Sequence, residues 1–271
     1  MTTLSPTGFL RIGASDLEYR MIGPSPADAP TIVMLHEGLG SAGLWGDFCV
    51  KLQAATGAGV FAYSRAGYGA STPAKQPRPV DYMQIEALDV LPKLLDAIGF
   101  RRGLLVGHSD GASIAAIYAG SHQDHRVEGL ALIAPHFIVE DISVASIAEI
   151  KTAYETGGLR EKLARWHKDV DNAFYGWNSA WLDPKFRNWD ISEVLAYVRV
   201  PIAILQGVDD VYGTLRQIEI AQEECYCPVD VTVIPGAGHQ PHREAPGATL
   251  DAISEFANAV LRIHGSQGRA A

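Results

Sequence analysis

Residues 103–120 read GLLVGHSDGASIAAIYAG, and this stretch decides the fold of the 271-residue chain. The run GLLV is typical of a strand buried on both faces, and ASIAAIYAG is typical of a helix. Between them lies Gly107-His108-Ser109-Asp110-Gly111, whose glycines allow a tight turn that lifts a serine hydroxyl above the sheet edge. The helix N-terminus behind this turn favours a developing oxyanion. This context predicts that Ser109 is a nucleophile.

Similar apolar runs alternate with helical patterns along most of the chain. They lie at 31–35, 59–64, 103–107, 127–134, 201–207 and 229–234. This alternation predicts an α/β protein with a mainly parallel sheet and helices on both faces. At the N-terminus, 8–12 and 17–22 flank a turn-like segment and predict an antiparallel hairpin at one sheet edge.

Two helical patterns carry specific expectations. Apolar residues repeat at three- and four-residue steps from Asp81 to Gly99, and Pro92 predicts a kink there because proline removes a backbone donor. A second amphipathic helix is expected from about Leu250 to Val260, followed by a frayed tail at 265–271.

Residues 137–198 interrupt the alternation. No buried-strand run occurs there, and four of the five tryptophans do: Trp166, Trp177, Trp181 and Trp189. Since strand connections in such sheets are usually 2–6 residues long, a helical insertion of about 60 residues indicates a separate role. We predict a helical cap at 137–198, lying over the C-terminal ends of the strands, and a core formed by 1–136 and 199–271.

Composition limits the class of protein. Apolar residues make up 47%, which excludes disorder, and 22 basic against 31 acidic residues give a net charge of −9, which argues against a nucleic-acid partner. No apolar run approaches the roughly 18 residues of a membrane span, and no secretory signal is visible, so we expect a cytoplasmic protein without a membrane partner. Cys225-x-Cys227 is too tightly spaced for a usual zinc site, so no metal is expected. The expected partner is a small-molecule substrate, and a homodimer stays open.

A nucleophilic serine needs a base that is oriented by a third group. His239 ends a Pro-Gly-Ala-Gly-His turn after the run 229–234, and Asp209 and Asp210 follow the run 201–207. Both turns fall at the same sheet edge as Ser109, in the order Ser, Asp, His. His36–Ser41 follows the first long strand, and a backbone N–H of this turn can complete an oxyanion hole with that of Asp110.

From Gly8 to His264 the chain resembles the α/β-hydrolase superfamily. The matching turns are 36–41 (HEGLGS), 64–71 (SRAGYGAS), 107–111, 207–210 and 235–239. The resemblance implies the α/β-hydrolase fold, a three-layer sandwich with a mostly parallel eight-stranded sheet and a helical cap inserted after strand six. It also implies Ser109 as nucleophile, Asp210 as acid, His239 as base, and the N–H groups of Gly38 and Asp110 as oxyanion donors. Asp209 is then a turn-capping carboxylate.

Glu37 departs from the usual His-Gly pair of the superfamily and places a carboxylate beside the expected oxyanion hole. In one interpretation the side chain points away and anchors a loop through a hydrogen bond or a pair with Arg65. In the other it is desolvated, partly neutral, and contacts the substrate or orients a water molecule.

Taken together, these features predict a cofactor-independent serine hydrolase acting on a small to medium, apolar ester, thioester or lactone. The alternatives are hydrolysis of a C–C bond in a vinylogous 1,5-diketone, where Glu37 or His136 would matter for protonation, and a ligand receptor that keeps the fold. A dehalogenase is excluded because it needs an aspartate at position 109. The residues expected to line the pocket are Glu37, His136, Phe137, Tyr154, Trp177, Trp181 and Tyr212.

Overall fold

A computed structural model describes residues 4–262, which are built around one eight-stranded sheet. The strands are β1 (Thr7–Ile12), β2 (Ser15–Ile22), β3 (Thr31–Leu35), β4 (Gly59–Tyr63), β5 (Gly103–His108), β6 (Val127–Ile133), β7 (Ile202–Gly207) and β8 (Val229–Ile234). Their spatial order is β1-β2-β4-β3-β5-β6-β7-β8. β1 and β2 pair antiparallel and β2 meets β4 antiparallel, whereas β3 to β8 run parallel to their neighbours. The predicted mostly parallel sheet with an edge hairpin is confirmed.

Helices cover both faces of the sheet. They are α1 (Phe48–Thr56), α2 (Tyr82–Ile85), α3 (Leu91–Ala97), α4 (Asp110–Ser121), α5 (Asp141–Thr156), α6 (Leu159–Leu163), α7 (Val170–Trp181), α8 (Ser192–Leu195), α9 (Arg216–Glu224), α10 (Pro241–Glu244) and α11 (Pro246–Leu261). Successive residues of β3 belong to two separate buried clusters, Ile32 and Met34 to one and Val33 and Leu35 to the other. Because side chains alternate across a strand, these clusters are the two helix–sheet interfaces of a three-layer protein.

The irregularity expected at Pro92 begins one turn earlier than predicted. A π-helical segment, Glu86–Val90, separates α2 from α3, and Pro92 lies in the first turn of α3. Proline has no N–H to bond the carbonyl four residues back and its ring crowds that carbonyl, so the preceding turn widens. The amphipathic C-terminal helix is confirmed as α11, and the predicted frayed tail at 265–271 lies outside the described residues.

Helices α5 to α8 all lie between β6 and β7. His167, between α6 and α7, ties this inserted segment to two turns of the core. Its Nδ1 accepts from the Gly69 N–H at 3.0 Å, and its Nε2 donates to the Leu39 carbonyl at 3.0 Å. The exact division into a cap at 137–198 and a core stays a prediction. No helix within residues 4–262 is both long and apolar enough to cross a membrane.

Candidate active site

Ser109 occupies the turn between β5 and α4, at the C-terminal edge of the sheet. Its backbone has a φ of 53° and a ψ of −119°, a strained conformation that is typical of functional turns. Neighbouring chain segments leave no room for side chains at the flanking glycines. A Cβ on Gly107 would overlap the Gly111 carbonyl, and a Cβ on Gly111 would overlap the Leu35 carbonyl. The two glycines therefore permit the close strand–helix approach that raises the serine.

His239 and Asp210 form a hydrogen-bonded chain with Ser109. The Nδ1–H of His239 donates to Asp210 Oδ2 at 2.8 Å, because a carboxylate can only accept. Nε2 of the same ring then accepts from the Ser109 hydroxyl at 2.9 Å. β7 ends just before Asp210 and β8 just before the loop that carries His239, so parallel neighbouring strands deliver both residues to one edge.

The structure brings Asp210, and not Asp209, to the histidine. The Asp210 side chain is 2% exposed and also accepts from the Tyr212 N–H and from Gln206 Nε2, each at 2.7 Å. Burial alone would raise the pKa of this carboxyl, but its bonds to His239 and to the Tyr212 amide lower the pKa below its ordinary value. Asp209 is exposed at the surface. Asp210 is thus an ionised acceptor that fixes the His239 tautomer.

Two backbone amides are candidates for binding a substrate oxygen: that of Gly38, which lines the same cavity as Ser109, and that of Asp110, the next residue in the chain. Neither N–H donates a hydrogen bond to any group of residues 4–262, so both are free to hold an oxyanion. Arg65 fixes the turn that carries Gly38. It is fully buried and donates to the carbonyls of His36 and Glu37, the latter at 3.0 Å. A Cβ on Gly38 would overlap the indole of Trp177. Glycine is therefore required at position 38, where Trp177 of α7 contacts the turn.

The Asp110 side chain links the elbow to the inserted helices. It is fully buried, bonds the Tyr82 hydroxyl, and accepts from Trp181 Nε1 at 3.2 Å. Trp181 Nε1 also lies 3.0 Å from the Tyr82 oxygen. Burial raises the pKa of Asp110 despite the neighbouring Arg65. The side chain of Asp110 therefore anchors a pocket tryptophan, while its backbone N–H has no acceptor within residues 4–262.

The Glu37 side chain faces His108. Its Oε2 lies 3.5 Å from His108 Nδ1, and Arg65 binds only its backbone carbonyl. The predicted pair with the Arg65 side chain is therefore wrong, because that guanidinium is already bound to the carbonyls of the turn. Burial alone would raise the pKa of Glu37, but His108, His36 and His242 together lower it well below its ordinary value. A lowered pKa favours the ionised carboxylate over the partly neutral form considered from the sequence.

His108 connects Glu37 to the catalytic loop. The ring is fully buried, and its Nε2–H donates to the His239 carbonyl at 2.7 Å. The opposite ring nitrogen faces the Glu37 carboxylate. The Glu37 side chain therefore lies beside a histidine that also bonds the backbone of His239.

A cavity of about 360 Å³ opens above Ser109. The inserted helices supply much of its apolar wall, including Ile147 and Ile150 of α5, Leu163 of α6 and Trp177 of α7. Of the residues that the sequence analysis expected here, Glu37, His136, Trp177, Trp181 and Tyr212 do line the cavity. The size is that of a pocket for a small to medium ligand.

Phe137 and Tyr154 do not line this cavity, and those predictions are wrong. Phe137 is fully buried in the core. Its backbone N–H donates to Gln217 Oε1 at 2.7 Å, and its carbonyl accepts from the Ile191 N–H at 2.8 Å. These bonds turn it away from the pocket that the preceding His136 reaches. Tyr154 instead stacks on Phe174 with ring centroids 3.6 Å apart.

Several pocket residues were not predicted. The inserted helices contribute Leu159 and Lys162, and the segment after His239 contributes Gln240 and, from α10, Arg243. The three- and four-residue spacing of apolar residues marks such helix faces in the sequence, but it does not tell a pocket wall from a core contact. Within residues 4–262, no group of three or more His, Cys, Asp or Glu side chains could hold a metal ion.

Comparison with known proteins identifies the family of the chain. A sequence model described as the alpha/beta hydrolase family matches residues 32–252. Epoxide hydrolase 3 of Xenopus tropicalis is 22% identical over 295 aligned residues, which cover 95% of this chain and 79% of that protein.

Solved structures share the fold over nearly the whole chain. An enol-lactonase from Burkholderia xenovorans LB400 superposes with a TM-score of 0.72 at 20% identity and covers 92% of this chain and 99% of that one. A structure described in connection with carboxylesterases of Nitrososphaera gargenis gives a TM-score of 0.75 at 19% identity and covers 94% and 99%. At such identities the likeness shows the fold alone.

Proposed function

Because the chain belongs to the alpha/beta hydrolase family, we propose that it is a serine hydrolase that transfers an acyl group to water. The observation that carries this proposal is the chain of hydrogen bonds from Ser109 Oγ through His239 to Asp210, at 2.9 and 2.8 Å. Its substrate is a small to medium ester, thioester or lactone with an apolar acyl part, which fits a cavity of about 360 Å³.

The reaction begins when Ser109 Oγ attacks the substrate carbonyl. His239 takes the hydroxyl proton at Nε2 and later gives it to the leaving group, while Asp210 holds the ring in the required tautomer and stabilises its cation. The amides of Gly38 and Asp110 hold the oxyanion of the tetrahedral intermediate. Water then attacks the acyl-enzyme along the same path, which releases the carboxylic acid and restores the serine.

Opening of an epoxide through a covalent intermediate fits this site poorly. A carboxylate that opens the ring forms an ester, which water can hydrolyse. Attack by the Ser109 hydroxyl would form an ether, and an oxyanion hole has no carbonyl to act on in an ether. The chemistry of the residue at position 109 therefore favours acyl transfer.

Turnover of a series of p-nitrophenyl esters tests this function. We expect hydrolysis with an optimum at short to medium acyl chains, because Trp177 and Trp181 close a cavity of limited volume. A vinylogous 1,5-diketone in the same series tests C–C hydrolysis on the same triad. If the protein hydrolyses none of these esters but binds one of them tightly, the proposal is contradicted and a ligand receptor is favoured.

Glu37→Gln separates a structural from a catalytic role of the carboxylate near the oxyanion hole. We expect the free energy of unfolding to fall by about 1–3 kcal/mol, because the buried contact with His108 is lost. The pKa of Glu37 is lowered in the folded protein, so the wild type should show its full stability advantage over the variant at pH 7. This advantage should shrink as the pH falls below about 4.3, the ordinary pKa of a glutamate. Urea unfolding at several pH values measures it.

For a simple ester, Glu37→Gln should change kcat/KM less than about tenfold, because the carboxylate is directed at His108 and not at the substrate carbonyl. A loss of a hundredfold or more with an unchanged melting temperature would contradict this role and would make Glu37 part of the reaction. Glu128→Gln, which removes an ion pair with Arg102 at the surface, is the matched control.

A further inference from the structure

His136 is a buried histidine that the proposed acyl transfer does not use. It follows β6, is 3% exposed, and lines the cavity above Ser109. Burial, with a smaller effect of His239, lowers the pKa of His136 to about 3. The ring is therefore neutral near pH 7, with one nitrogen that donates and one that accepts.

The position of this ring is fixed on three sides. Trp181 contacts it edge-on with ring centroids 5.1 Å apart, and Trp181 is itself held by Asp110. The ring of His239 lies on another side, with centroids 5.5 Å apart. The Ser113 hydroxyl donates to the His136 carbonyl at 2.6 Å and fixes the backbone. Such restraint is typical of a side chain that positions a ligand, since it loses little freedom on binding.

Neither ring nitrogen of His136 has a hydrogen-bond partner within residues 4–262. Its Nδ1 is buried without a partner among the described residues, next to Gly213, and no protein group bonds its Nε2. A buried N–H without an acceptor is rarer in proteins than an acceptor without a donor. The favoured tautomer therefore leaves the lone pair on the enclosed Nδ1 and the hydrogen on Nε2, the nitrogen that is left to the cavity.

We propose that His136 donates a hydrogen bond from Nε2 to a second oxygen of the substrate, so that the site selects acyl compounds with a keto or hydroxyl oxygen near the scissile carbonyl. The second oxygen has to lie near the scissile carbonyl because His136 is close to the nucleophile. Its ring neighbours that of His239, which bonds the Ser109 hydroxyl at 2.9 Å. A plain hydrocarbon acyl chain would leave this buried donor unpaired, and sites of that kind discriminate strongly against the analogue that lacks the acceptor. The inference rests on the proposed hydrolase function.

Hydrolysis of ethyl 3-oxobutanoate and ethyl butanoate by the wild type and by His136→Phe tests the proposal. The two esters share a chain length and differ in one keto oxygen, and phenylalanine keeps a planar ring but has no donor. We expect the ratio of kcat/KM for the keto ester to that for the plain ester to fall at least about tenfold in His136→Phe, chiefly through KM. The plain ester should lose less than the keto ester, because only the keto ester loses a hydrogen bond to the ring.

Two further variants separate recognition from packing. His136→Gln places an amide N–H near the position of Nε2 and should restore much of the ratio. His122→Phe makes the same chemical change outside the active-site cavity and should leave the ratio unchanged. An equal loss for both esters in His136→Phe, or a ratio that none of the variants changes, would overturn the proposal.

The failure of this inference is distinguishable from failure of the hydrolase function. If ethyl butanoate is hydrolysed and a fluorophosphonate labels Ser109 while the ratio stays constant, only the role of His136 is wrong. If turnover is too slow to measure, protection of Ser109 from the probe by each ester gives the same comparison. Absence of both turnover and labelling in the folded protein would remove the premise and the inference with it.

Discussion

Ser109→Ala should reduce kcat about 10⁶-fold, the scale observed when a serine protease loses its nucleophile. The hydroxyl is the only group of this residue that bonds His239, and alanine leaves no atom to form the acyl-enzyme. Turnover of the best ester from the acyl series measures the loss. The melting temperature should change little, because alanine keeps the Cβ and the buried elbow around it.

Ser121→Ala controls for this change, since it removes an exposed hydroxyl at the other end of α4. It should keep kcat within about twofold, as expected for a surface substitution away from the site. An Ser109→Ala protein that retains more than a few per cent of wild-type turnover would show that another group attacks the substrate.

Asp210→Asn should reduce kcat roughly 10⁴-fold, the effect of the wrong histidine tautomer in serine proteases. Asp210 Oδ2 accepts from both His239 Nδ1 and Gln206 Nε2, and an amide nitrogen at that position can accept from neither. The imidazole would then turn its unprotonated nitrogen toward the amide and present an N–H to Ser109. Steady-state kinetics on the same ester measure the loss.

Asp209→Asn is the matched control, because Asp209 is adjacent in sequence, equally close to the end of β7, and exposed. It should change kcat less than about tenfold. The reverse ranking of the two variants would transfer the role of the acid to Asp209.

The strands and the elbow could be predicted because their signals are local. The run 31–35 coincides with β3, since a continuous apolar stretch between turns is typical of a strand that is buried on both faces. The run 229–234 coincides with β8, an edge strand in which β-branched and polar residues alternate. Gly107 and Gly111 similarly mark a tight strand–helix turn around Ser109, because they lack the Cβ that would block the close approach of neighbouring backbone. Local chemistry therefore determines which residues reach the C-terminal edge of the sheet.

The partners of buried polar groups could not be predicted, because they depend on distant parts of the chain. Glu37 and His108 are 71 positions apart and meet only because β3 pairs with β5. His167 lies far along the chain from Leu39 and Gly69, yet it bonds the backbone of both. The residues of the pocket wall were hard to predict for the same reason. His136 and Phe137 are adjacent, and the bonds of the Phe137 backbone to Gln217 and Ile191, both distant in sequence, accompany its burial in the core.

Labelling with a fluorophosphonate probe, followed by peptide mass spectrometry, tests the central claim most directly. The strained elbow, the bond to His239 and the free amides of Gly38 and Asp110 are the features from which we propose Ser109 as the activated serine. We expect one adduct per molecule on the peptide that contains Ser109, and none in Ser109→Ala. An adduct on a different serine, or no adduct in a folded protein, would contradict the claim.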